Sequence, residues 1–253
     1  MARSTALVTG ATSGLGAEFA RQLARSQHNL VLVARDVSRL EAKAARLRQD
    51  FGGDVEVLPA DLLTDDGVAS VAARLADRGR PVELLVNNAG FGLVTAFEDS
   101  TAAEETDHLR ILVRTPMQLM HAALEPMLER GSGRIINVSS VAGFIPRGSY
   151  GAAKAWGISF SRFANLRYGP RGVHVMALCP GFVHTEFHRR MGANLGRIPK
   201  WMWLNPDQVV REGLADSARG KSVSIPSRRY STLIALSRLV PDRLAAAAGS
   251  RGR

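Results

Sequence analysis

The chemistry this sequence offers is concentrated in Ser139-Ser140, a short loop, and then Tyr150-Gly-Ala-Ala-Lys154. Positions four apart share one face of a helix, so Tyr150 and Lys154 would present a phenol and an ammonium to one small volume. A tyrosine loses its proton near pH ~10, and a cation within ~4–6 Å lowers an acid's pKa by roughly 1–3 units. The pair is therefore expected to work as an acid and base near neutral pH, protonating a carbonyl oxygen or taking the proton off an alcohol. Ser140 follows the apolar run Ile135, Ile136, Val138 and would deliver its hydroxyl from a strand end. The competing reading is a tyrosine packed by its ring beside a solvated lysine. Against it, lysine occurs only at 43, 154, 200 and 221 in a chain that otherwise uses arginine, which does not readily give up a proton.

The elements that must position these groups begin at once. Thr5 to Thr9 reads as a short buried strand, followed by Gly10-Ala-Thr-Ser-Gly14-Leu-Gly16 and a helical pattern. A strand feeding a glycine-rich turn into a helix N-terminus is a phosphate-binding arrangement, with backbone N–H groups and the helix dipole facing the anion. Thr12 and Ser13 would add hydroxyl donors. A second strand, 28–34, ends in Ala34-Arg35-Asp36. In a dinucleotide fold an acid at this tip bonds the 2′-hydroxyl of NAD, whereas an arginine accepts the 2′-phosphate of NADP. Ala34 stands where the acid is expected and Arg35 follows, which points to NADP(H), with NAD(H) open because of Asp36. A surface charge is the alternative for Arg35.

The pattern continues with helix 37–51, strand 55–58, helix 65–78 and strand 82–87, and ends late in the chain with helix 206–219 and strand 222–226. Asp61, just past the third strand, would accept from an adenine amino group or else cap a helix. Asn87-Asn88-Ala89-Gly90 follows the fourth strand, its amides pinning neighbouring backbone and Gly90 allowing close approach. This repeated alternation predicts an α/β fold, a Rossmann-type doubly wound parallel sheet flanked by helices on both faces.

With 253 residues, 45% of them hydrophobic and 22% charged, one domain of ordinary core is expected. Neither a signal peptide nor a membrane span is read, and the lone Cys179 excludes an internal disulfide and suits a cytoplasmic setting. No metal site is read. The net charge of +10 raises nucleic acid as a partner, but the arginines are scattered along helices and form no aromatic-interleaved stripe, so nucleic acid is set aside.

Thr9-Gly10-x-x-x-Gly14-x-Gly16, Asp61, Asn87-Asn88-Ala89-Gly90, Ser140, Tyr150-x-x-x-Lys154 and Pro180-Gly181 together resemble the short-chain dehydrogenase/reductase family, over about residues 5–226. The resemblance implies NAD(P)(H)-dependent hydride transfer between a carbonyl and its alcohol, with Ser140, Tyr150 and Lys154 catalytic and Ser139 in reserve. It implies a cofactor-facing set of Gly10, Thr12, Ser13, Gly14, Leu15, Gly16, Arg35, Asp61, Leu62, Asn88, Ala89, Gly90, Tyr150, Lys154, Pro180, Gly181, Val183 and Thr185. In the family the lysine also bonds the nicotinamide ribose, and groups like Val183 and Thr185 fix the carboxamide. A homodimer or homotetramer is implied as well. Two features depart from the pattern: Leu112 falls where the family has a catalytic asparagine that holds a water linked to the lysine, and the loop from Ser140 to Tyr150 is short. Leu112 leaves two expectations open, a weakened or rerouted proton relay, or a cofactor-binding sensor or scaffold with reduced turnover.

Residues 1–226 are read as the oxidoreductase domain. Its stretch 182–204 would be a substrate lid, with Phe182, Phe187, Met191, Leu195, Ile198, Trp201, Met202, Trp203 and Leu204 suiting a hydrophobic carbonyl or alcohol, or merely packing the lid onto the body. The basic amphipathic tail, 227–253, would cross a subunit boundary or lie on an anionic membrane, the former being preferred.

Overall fold

Strand β1 (Thr5–Thr9) shows in miniature how the sheet is covered. Successive side chains point to opposite faces, so Ala6 and Val8 join one hydrophobic cluster and Leu7 another, and all three are fully buried. A strand apolar on both faces belongs inside a sheet with helices on each side. The chain is described here by a computed structural model over residues 3–93, 95–186 and 198–237.

After β1 come α1 (Gly14–Arg25), β2 (Asn29–Ala34), α2 (Val37–Phe51), β3 (Val55–Pro59), α3 (Asp65–Ala76) and β4 (Leu84–Asn87). Then follow α4 (Ala102–Leu109), a π turn over Arg110–Arg114, α5 (Thr115–Arg130), β5 (Gly133–Val138), α6 (Gly148–Tyr168) and β6 (Val173–Leu178). Strands β7 (Phe182–Val183) and β8 (Trp203–Leu204) pair with each other, and helix Pro206–Ala218 leads to β9 (Val223–Ser224). Seven strands form one parallel sheet in the order β3-β2-β1-β4-β5-β6-β9. Phe19, Leu23, Leu40, Leu47, Val209 and Val210 cover one face from α1, α2 and helix Pro206–Ala218. Val71, Leu75, Leu119, Met127, Ala153 and Ala164 cover the other from α3, α5 and α6.

Strand order turns back between β1 and β4, and a parallel sheet opens a crevice beyond the carboxyl ends at such a point. Thr9 ties the two strands there: its hydroxyl donates to the Val86 carbonyl at 3.3 Å and accepts from the N–H groups of Asn88 at 2.9 Å and Ala89 at 3.0 Å. Asn88 returns the tie through Nδ2 to the Thr9 carbonyl at 2.9 Å.

One expectation is corrected. The final strand is Val223–Ser224, not 222–226; Pro226, lacking an N–H, cannot extend a ladder. The start of the tail is a helix, Arg228–Ser237, that turns its Tyr230 and Ile234 into this chain's own body. Leu233 and Leu236 on the same helix stay exposed. The remaining tail positions Arg238, Leu239, Val240 and Arg243, and the lid positions Phe187, Met191 and Leu195, lie outside the described residues. No described helix is long and apolar enough to cross a membrane.

Candidate active site

The glycine turn is built so tightly that side chains are excluded. Gly10 and Gly14 take positive φ values of 67° and 54°, and a Cβ on Gly16 would stand 2.1 Å from the Gly10 carbonyl oxygen and 2.5 Å from Asn88 Nδ2. The chain can therefore bring bare backbone to the N-terminus of α1. Ser13 is the N-cap in extended conformation, yet its hydroxyl makes no bond to the helix it precedes, and Leu15 packs against the core beneath. A dinucleotide fits these groups: free N–H groups, an uncommitted hydroxyl and a helix dipole converge where a pyrophosphate would lie.

At the end of β2, Asp36 has other employment. Its carboxylate caps α2, accepting from the Arg39 N–H at 3.0 Å and the Ser38 hydroxyl at 2.8 Å, bonds that hold it below the usual carboxylate range. That removes the acid whose presence weighed towards NAD and leaves Arg35 exposed at the rim. Arg39, which the sequence reading passed over, reaches back from α2 to the Thr12 carbonyl at 3.4 Å and puts a second cation beside the glycine turn. Asp61 is partly used locally, with Oδ1 accepting from the Leu63 N–H at 3.0 Å, while Leu62 is buried and its carbonyl accepts from the Thr115 hydroxyl at 2.9 Å.

Strand β5 and helix α6 bring the chemical groups together at the same sheet edge. Ser139 is spent on structure, its hydroxyl donating to the Lys154 carbonyl at 2.8 Å. Ser140 caps the short turn Val141–Phe144 by accepting from the Ala142 N–H at 3.1 Å, and its hydroxyl also bonds the Tyr150 phenol. Of the two serines, the second is thus the one beside the phenol. Lys154 Nζ donates to the Val138 carbonyl at 2.8 Å and lies 5.7 Å from the Tyr150 ring centre.

The electrostatics differ from the sequence expectation. Burial pushes the Tyr150 phenol up to about 12, outweighing the lowering by the Ser140 hydrogen bond and the Arg147 charge. Burial likewise pulls Lys154 down to about 8. Taking both groups out of water disfavours their charged forms, so the protein alone leaves a neutral phenol beside an ammonium that gives up its proton within reach of physiological pH. The buried Cys179 thiol is driven up to about 12 and is inert.

Leu112 sits buried in the π turn, and its Cδ2 would lie 2.8 Å from a Cβ on Gly90, so Gly90 gives the leucine room. Sequence reading missed two more neighbours. His108, with Glu105 one turn earlier on α4, packs its ring against Tyr150; the spacing Glu105-x-x-His108, four residues before Leu112, was the available signal. Tyr230 lies over Gly181, where a Cβ would fall 1.9 Å from the ring, and its hydroxyl accepts from the Phe182 N–H at 3.1 Å and donates to the Met202 carbonyl at 2.7 Å. It thereby fixes Pro180-Gly181 and both strands of the β7–β8 pair. Beyond them Val183 is buried and Thr185 stands against Gly14, with the Thr185 Cβ at 3.4 Å from a Cβ built there. Phe182 and His184 pack their rings on Trp203, at 5.8 and 4.7 Å between centres.

The chain matches the family described as short chain dehydrogenase over residues 4–196. It is 35% identical to a short-chain dehydrogenase from Sphingobium yanoikuyae solved in complex with NADPH, with a TM-score of 0.85 and 94% of each chain covered. It is 32% identical to the bulky-bulky ketone specific alcohol dehydrogenase from Comamonas testosteroni, with a TM-score of 0.80 over 93% of this chain and 92% of that one. Among curated proteins, the D-beta-hydroxybutyrate dehydrogenase of Rhizobium meliloti (strain 1021) is 32% identical over 215 residues, covering 82% of this chain and 81% of that protein.

Proposed function

The chain belongs to the short-chain dehydrogenase family, and from that premise we propose that it is an NADP(H)-dependent oxidoreductase interconverting a hydrophobic carbonyl compound and its alcohol. When bound, the nicotinamide supplies or accepts the hydride. In reduction, Ser140 donates a hydrogen bond to the carbonyl oxygen and Tyr150 transfers its phenolic proton to the forming alkoxide. Lys154, as ammonium, stabilises the phenolate left behind. In oxidation the same proton returns from the alcohol to Tyr150. Arg35 meets the 2′-phosphate, with charge-assisted bonds of ~1.5–3 kcal/mol each setting a preference of roughly tenfold or more for NADP over NAD.

The observation that carries this reading is the convergence of Ser140, Tyr150 and Lys154 on the sheet edge that also holds the glycine turn. A protein that only binds nucleotide has no use for a phenol held against a half-buried ammonium. The apolar and aromatic groups Phe182, Trp201, Met202 and Trp203 favour a hydrophobic substrate, as does the likeness to a bulky-ketone alcohol dehydrogenase. The test is a screen of hydrophobic ketones, aldehydes and alcohols, followed at the nicotinamide absorbance with NADP(H) and NAD(H). Wild type is expected to turn over at least one of them, faster with NADP(H), and Tyr150→Phe to lose roughly 10²–10⁴-fold in kcat while keeping its cofactor affinity. Unchanged turnover in Tyr150→Phe would refute the proton-transfer role.

A further inference from the structure

His108 is the most anomalous polar side chain among the described residues. It is fully buried, and neither ring nitrogen has a partner at full hydrogen-bond geometry, the Phe91 backbone and the Glu105 carboxylate being polar groups that approach it. A buried polar ring held only by such weak polar approaches is costly, so packing alone does not explain it. The surroundings are chemical. The imidazole stacks on the Tyr150 ring at 6.0 Å between centres and 16° between planes, with Phe91 on another side at 5.7 Å. Behind it, Glu105 Oε2 is 3.9 Å from Nδ1 and is itself buried without a partner, while Oε1 accepts from the Ser100 hydroxyl at 3.1 Å. His108 stands one helical turn before Leu112, which offers no polar atom at the place where an amide was expected.

We propose that His108, backed by Glu105, is the residue that exchanges protons between solvent and the Tyr150–Lys154 pair, on the α4 side of the site where Leu112 supplies no amide. This rests on the oxidoreductase reading above. In carbonyl reduction the Tyr150 O–H bond breaks as the alcohol O–H bond forms; one proton taken from water through His108 then restores the phenol, and the imidazole ends neutral as it began. In alcohol oxidation the proton leaves by the reverse path, which requires an imidazole able to accept it. No electrons move in this step. The titratable groups facing the ring are Glu105 on its own helix and Tyr150 and Lys154 on α6. Burial lowers the His108 pKa from its ordinary value, and Lys154 adds to this while Glu105 opposes it. His108 is therefore neutral at pH 7, the state that oxidation needs.

His108 touches no reacting atom in this arrangement, so its role is a positioning and relay role, and its test needs readouts that packing alone would not move. With NADP(H) and the best carbonyl and alcohol of the screen, His108→Phe fills the ring's space without nitrogens. It is expected to keep KM and cofactor affinity within about twofold, to lower kcat about tenfold or more, and to lose the acid limb of alcohol oxidation, which in wild type falls as pH drops through the lowered His108 pKa. Glu105→Gln should move that limb to still lower pH, because the carboxylate that favours imidazolium is gone. This variant also carries the test should His108→Phe fail to fold. Leu112→Asn added to His108→Phe should recover a substantial part of kcat. Without cofactor, the imidazole proton resonances of His108 should titrate at a different pH in Tyr150→Phe. Wild-type kcat and pH profile in both His108→Phe and Glu105→Gln would overturn the relay alone. Wild-type protein that binds NADPH but reduces nothing would overturn the oxidoreductase reading and the relay with it.

Discussion

The two ends of the cleft are stabilised in opposite ways. Around the glycine turn the framework is committed: Thr9 and Asn88 lock β1 to β4, Asp36 caps α2, and a Cβ on Gly10 or Gly16 would clash with Asn88 or backbone, while the Ser13 hydroxyl is left for a ligand. At the Tyr150 end Lys154 and Tyr150 are half-buried and both pushed towards their neutral forms, and the buried His108 and Glu105 hold atoms without a well-formed hydrogen bond. A rigid, satisfied frame suits the holding of a charged cofactor. Destabilised charge suits proton transfer, because a group that sits near the balance between two protonation states moves a proton at low cost. The family's fold supplies the frame, and the chemistry occupies the part of it that folding alone would leave polar groups out of.

That contrast can be broken at either end. The largest effect is expected at the chemical end: Lys154→Met should lower kcat by roughly 10²–10⁴-fold. The same substitution should flatten a pH limb. Lys154 is protonated below about 8 and loses its charge above, so wild-type carbonyl reduction should fall as pH rises through about 8, and this dependence should vanish in Lys154→Met. A limb that persists there would assign the titration to another group.

At the frame end, Gly16→Ala places a Cβ 2.1 Å from a backbone oxygen that has no flexible side chain to yield. Overpacking of ~1–3 kcal/mol translates to roughly 5–150-fold weaker NADPH binding, read by fluorescence titration, with little change in the pH limb. Arg35→Ala should cost about tenfold in NADPH affinity and little in NADH affinity, bringing the two together. An unchanged ratio would move the 2′-phosphate contact to Arg39. The smallest effect is expected for Tyr230→Phe, which deletes the hydroxyl that links Phe182 and Met202. It should lower unfolding free energy by about 1–2 kcal/mol in a denaturant titration and leave kcat nearly intact.

Much of the frame is legible in the sequence because its signals are local. Apolar runs of strand length alternate with amphipathic ones, and the glycines at 10, 14 and 16 follow a strand and open a helix, so element type and order need no knowledge of the partner surface. Tyr150 and Lys154 are legible for the same reason, since four residues on a helix fix their common face. His108 was not legible: in Thr106-Asp107-His108-Leu109-Arg110 it looks like any histidine on a polar helix, and only the docking of α4 against α6 buries it on Tyr150. The packing of Tyr230 and Ile234 was not legible on similar grounds, because a basic amphipathic helix does not say which surface will cover which of its apolar groups.

By itself the sequence determined the alternation that makes a doubly wound parallel sheet, the glycine turn, and the phenol–ammonium pair, each set by periodicity within a few residues. Only the tertiary structure decided how those groups are employed. It gave Asp36 to a helix cap, Ser139 to the Lys154 carbonyl and Ser140 to the phenol, because side chains adjacent in sequence point to different partners once the strands end. It also decided the protonation balance of Tyr150 and Lys154, since desolvation depends on atoms brought from distant segments and no spacing along the chain encodes it.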